Sequence, residues 1–197
     1  MSANRLGRLN DGMSALTMGA PLTGLFEADG EASAVSYGLA FLIFAMRVKF
    51  WIDDMDFFED PERGGARSDA YFRIGMTLAL ASWVLFILAG LTVRQPTVAA
   101  GWLFAALAVS TLWLYAEIRG PKTYPVQSLW SLSNAGYVLM SLVLVRSPAL
   151  AALTGLRVET VQWAAIMGMG LILAVEIIRA DWLQSMKGKV LEPGTPG

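Results

Sequence analysis

Residues 74–93 read IGMTLALASWVLFILAGLTV, a run without a single charge. An α-helix rises about 1.5 Å per residue, so roughly 20 residues match the ~30 Å hydrocarbon core of a bilayer. Residues 98–116, VAAGWLFAALAVSTLWLYA, repeat the pattern after a break at Arg94-Gln95-Pro96. Two such runs joined by a short polar turn predict a helical hairpin that crosses a membrane and returns. In lipid the backbone must satisfy its own hydrogen bonds, which a helix does within one segment. Neither run alternates apolar with polar residues, as a barrel strand would.

Three further segments flank this hairpin. Residues 34–52 are uncharged only as far as Met46, where Arg47 and then Lys49 interrupt them. Lys49, and in part Arg47, are expected to snorkel to the headgroups. Residues 128–145 form the most polar of the uncharged runs, and residues 161–178 hold Glu176 near their end. The expected fold is an all-α integral membrane protein, a bundle of about five transmembrane helices. The alternative is four spans plus an interfacial N-terminal helix. Residues 1–32 are expected to form an extracytoplasmic N-terminal arm, since Asp11 and several glycines break any apolar core of a signal peptide. Residues 33–180 form the helical domain, with an acidic cytoplasmic loop at 53–72, and 181–197 a short cytoplasmic tail.

Composition agrees. Of 197 residues 55% are hydrophobic and 16% charged, and mean hydropathy is +0.52. Soluble domains carry about 25% charged residues. The absence of Cys removes disulfides, thiolate nucleophiles and zinc–thiolate sites. The absence of His removes histidine general bases and Ser-His-Asp triads. A net charge of -1 argues against nucleic acid as a partner. No phosphate loop, metal motif or nucleophile elbow is present. No cofactor, bound metal or catalytic residue is therefore expected.

Basic residues suggest an orientation. With five spans, Arg47, Lys49, Arg63, Arg67, Arg73, Arg119, Lys122, Arg179, Lys187 and Lys189 share one side, and Arg5, Arg8, Arg94, Arg146 and Arg157 the other. The positive-inside rule then places the C-terminus in the cytoplasm and the N-terminus outside, in a prokaryotic inner membrane. Trp51, Trp113, Trp130 and Trp182 fall near one interface, Trp102 and Trp163 near the other. Trp83 falls mid-span, packed between helices or against a lipid, pigment or other ligand.

Candidate functional residues form two groups. Ser131, Asn134, Tyr137 and Ser141 give the fourth span a polar stripe, suited to interhelical hydrogen bonds or to a pore lining. Arg47, Arg73, Glu117, Arg119, Glu176 and Arg179 form a charged layer at the membrane edge. Ionisable groups at that depth cost several kcal/mol unless paired. Glu176 is the most deeply placed acid, with Arg47 its expected partner from another helix and Arg179 within reach along its own. The segment DDMDFFEDPERGGARSD is dense in acids, but its spacing matches no calcium loop, and its Met and Phe residues suit a docking element at the membrane surface.

Two functions are expected from these features. The first is a small homo-oligomeric ion channel or pore-forming effector, carried by the polar stripe and the charged layer. The second is a non-catalytic accessory or assembly subunit of a larger membrane complex. A lipid-modifying enzyme using Asp53, Asp54 or Asp56 with a divalent metal is a weaker third.

Overall fold

The computed structural model describes residues 3–26, 31–59, 70–118 and 125–190, with side chains described over 8–26, 31–53, 74–114 and 130–179. These residues form seven helices and no strand. They are α1 (Ala3–Phe26), α2 (Ala34–Glu59), α3 (Ala70–Leu91), α4 (Pro96–Ile118), α5 (Pro125–Val145), α6 (Ser147–Thr154) and α7 (Val158–Val190).

Local chemistry sets the helix ends. Ser33 caps α2, its Oγ accepting the Ser36 N–H at 3.1 Å. Pro96 and Pro125 each open a helix, where a missing N–H costs nothing. The α3–α4 turn closes with Gln95 N–H donating to the Thr92 carbonyl at 2.8 Å. Pro148, just beyond α5, sits in the first turn of α6, and Gly155 ends that helix at φ 72°.

Among the described residues, Ala34–Asp53, Ile74–Leu91, Pro96–Leu114 and Val158–Arg179 are long and apolar enough to cross a membrane. A fifth crossing arises if Trp130–Val145 and Ser147–Thr154, bent by 70°, form one broken span.

The largest difference from expectation is at the N-terminus. Residues 3–26 form a helix within the bundle, packed on α2 and α3. It runs antiparallel to α2, with Asp11 beside Trp51 and Thr17 beside Arg47. Its far end meets the end of α3, where the Arg94 guanidinium donates to the Leu25 carbonyl at 2.7 and 3.0 Å. The contact is close: a Cβ on Gly24 would lie 2.3 Å from the Gly90 carbonyl oxygen. The start of α1 and the end of α2 therefore share one end of the bundle.

The other pairs follow from similar contacts. Ser82 of α3 bonds Ser110 of α4 at 2.7 Å, and α5 packs on α4. Gly136 and Met140 of α5 meet Ile172 and Gly168 of α7, so those helices are antiparallel. Trp163 lies against Gly38, which sets α7 beside α2. The core joins Leu39, Ile43 and Met46 of α2, Phe86 of α3, Leu103 and Leu107 of α4, Tyr137 and Leu144 of α5 and Met169 of α7. Helix α2 also continues through Asp53 to Glu59, so the expected 53–72 loop begins as helix. Residues 60–69 of that segment lie outside the described residues.

Candidate functional site

A buried polar network crosses the lower part of the core. Lys49 and Asp53 stand four residues apart on α2, one helical turn, and are bonded to each other. Lys49 Nζ also lies 3.7 Å from Glu176 Oε1 on α7. The other carboxylate oxygen of Glu176 accepts the Tyr137 hydroxyl from α5 at 2.8 Å. Three helices thus converge on one carboxylate, which is 2% exposed, while Lys49 is 7% exposed. The Lys49 ammonium also lies 5.8 Å from the centre of the Trp130 ring, within cation–π range. The Trp130 indole N–H is buried without a partner among the described residues, so this side chain acts through its face.

A second cluster lies beside the first. Arg47, 2% exposed, donates from Nε to Thr17 Oγ1 at 3.0 Å, with its Nη2 3.5 Å from Ser14 Oγ. Asn10, Ser14 and Thr17 follow i, i+4, i+7 spacing, and all three are buried on the inner face of α1. The Arg47 guanidinium lies 5.0 Å from the Phe86 ring centre and 5.7 Å from that of Phe50. Phe50 meets Phe86 and Tyr137 edge-on, and so links the two clusters through an aromatic wall. At the rim, Trp51 donates its indole N–H to Asp11 at 3.0 Å.

These contacts revise the expected pairing. Glu176 takes partners from α2 and α5, namely Lys49 and Tyr137, while the described contacts of Arg47 turn to α1 and to the rings. Residues 47 and 49 are two positions apart, about 200° around a helix, so they address different neighbours. Lys49 is buried against Asp53 and Glu176, and its four-residue spacing from Asp53 is the sequence feature that marks a partner on its own helix.

The polar stripe of α5 points inward. Tyr137 and Ser141 have no exposed surface and Asn134 is buried, while Ser131 at the stripe's beginning is half-buried. Ser141 donates to the Val138 carbonyl at 2.9 Å. Trp83, at 3% exposure, has almost no surface left for a ligand or lipid. Within the charged layer, Arg179 is exposed. Arg73 and Glu117 lie on α3 and α4 in stretches whose side chains are not described, and Arg119 lies outside the described residues.

Chemically, the network holds charges as ion pairs and charge-assisted hydrogen bonds, shielded from solvent. Among the described residues no cluster of three carboxylates stands ready for a metal ion. No protein-family model matches the chain, and neither a curated protein nor a solved structure matches it.

Proposed function

We propose that this chain is a multi-pass membrane protein that acts as a non-catalytic accessory or assembly subunit of a larger membrane complex. The observation that carries this choice over a channel is the inward aim of the α5 stripe. A pore lined by that stripe would need Tyr137 and Ser141 to face water, yet neither has exposed surface. The outer surface is apolar instead, with Phe41, Leu132, Leu139, Leu171 and Ile178 all exposed. Such a surface suits acyl chains and the helices of membrane partners.

The same geometry supports a topology. Helix α1 lies alongside α2 over most of its length, which adds a polar-faced crossing and brings the start of α1 and the end of α7 to one side. By chain order, all of the 15 basic residues except Arg94, Arg146 and Arg157 then belong to that side. This asymmetry is stronger than the one obtained with an external N-terminal arm. The positive-inside rule assigns it to the cytoplasm.

The test is purification in mild detergent, mass measurement of the intact particle, and reconstitution into planar bilayers. Stoichiometric co-purification with unrelated membrane subunits, and no conductance from the chain alone, is the expected result. A symmetric assembly of this chain that conducts ions would replace the proposal with the channel.

A further inference from the structure

The least explained element is α6, set at 70° to α5 with a face turned away from the protein. Its inner side, Ser147 and Ala151, is buried. Ala149 and Ala152 are exposed on the outer side, Leu153 is 83% exposed, and Leu156 in the following turn is 54% exposed. Water is a poor environment for that surface, since each Leu gains roughly 1.5–3 kcal/mol when buried.

The lengths decide between two geometries. Helix α5 has 21 residues and so measures about 31 Å, enough to cross a bilayer core without help. Helix α6 has eight residues, about 12 Å, and is not needed to complete the crossing. Gly155, at φ 72°, then turns the chain directly into α7, which begins at Val158. Helix α6 is therefore a bracket between the ends of two helices that both start or finish at the same level.

Charge identifies what the bracket rests on. Arg146 and Arg157 stand at its two ends, and both are exposed. By chain order they are two of the three basic residues at this end of the bundle, and the third, Arg94, bonds the Leu25 carbonyl. Arg157 also contacts Glu159 at 2.7 Å, but that pair is exposed and weakly held. We propose that α6 is an interfacial helix lying on the lipid surface, with Leu153 and Leu156 among the upper acyl chains and Arg146 and Arg157 on lipid phosphates.

This inference rests on the membrane reading above, though not on the accessory role. The chain has no Cys, so Leu153→Cys and Met167→Cys each take a single nitroxide label. Met167 is exposed on α7 about 14 Å along from Val158, and so marks the bilayer interior. The labelled chain is reconstituted in vesicles of phosphatidylcholine with phosphatidylglycerol. Alkaline extraction first tests insertion; release of the chain from the vesicles would overturn the membrane reading itself.

In the inserted chain, the label at 153 should be several-fold more accessible to oxygen than to a water-soluble nickel chelate, and shallower than the label at 167. Equal or greater depth at 153 would make α5 and α6 one broken span and overturn the proposal. Dominant access to the nickel chelate would place α6 in water or at a soluble partner, with the same consequence. Adding Arg146→Gln and Arg157→Gln should raise label mobility and nickel access at 153. No change would overturn the role of the arginines.

Discussion

Lys49 ties the interior together, because it bridges Asp53 on its own helix and Glu176 on α7. Its removal leaves Glu176 as an uncompensated buried charge. Breaking one partner of a buried ion pair typically costs about 3–5 kcal/mol. Lys49→Ala should therefore lower the unfolding free energy in detergent by that order. Tyr137→Phe should cost less, about 1.5–3 kcal/mol, since it removes one hydrogen bond to a charged acceptor. Pairing Lys49→Met with Glu176→Met should cost less than the sum of the single changes, because neither charge is then left alone. Additive losses would show that the two residues do not interact. The buried acid and the need for a partner were legible in the sequence. The identity of that partner was not, because it depends on which way two side chains about 200° apart on α2 are rotated.

At the scale of the element, α1 is the helix the sequence hid. Its Arg5, Arg8, Asp11 and glycines break any apolar run, and its buried face carries Ser14 and Thr17, which receive Arg47, with Asn10 accepting from Ser14. Helices that pair inward with a charge need not look apolar. The i, i+4, i+7 spacing of Asn10, Ser14 and Thr17 is the one sequence signal that could have marked a helical face, and it is a weak one. Stripes of small residues behave unevenly. Gly75, Ala79, Ser82 and Ala89 of α3 share one stripe and are buried. On α4 the buried face is Ala99, Ala100, Leu103, Ala106 and Leu107, while the stripe of Gly101, Ala105 and Ala108 is only half-buried. Small size permits close approach but does not compel it. Gly24→Ala should therefore separate α1 from α3 and destabilise the protein by about 1–3 kcal/mol through overpacking. Gly101→Ala, where a Cβ meets nothing within 4 Å, should leave stability unchanged or raise it by up to ~1 kcal/mol. Thermal unfolding of the two variants in the same detergent compares them directly.

At the scale of the whole molecule, four apolar helices were readable from hydropathy, because length and lack of charge suffice to mark them. The register of α1 was not readable, and it decides on which side α1 begins. With α1 inside the bundle, Arg8 and Arg179 stand at the same end and Arg157 at the opposite one. The proposed topology therefore has α1 crossing with α2, with the start of α1 and the end of α7 on one side. Its most direct test is single-cysteine labelling of this Cys-free chain in sealed membrane vesicles of known orientation, using an impermeant maleimide. Arg8→Cys and Arg179→Cys should react from the same, cytoplasmic side, and Arg157→Cys only from the other. Reaction of Arg8→Cys from the side of Arg157→Cys would contradict the account, returning α1 to the outside and breaking its contact with Arg47.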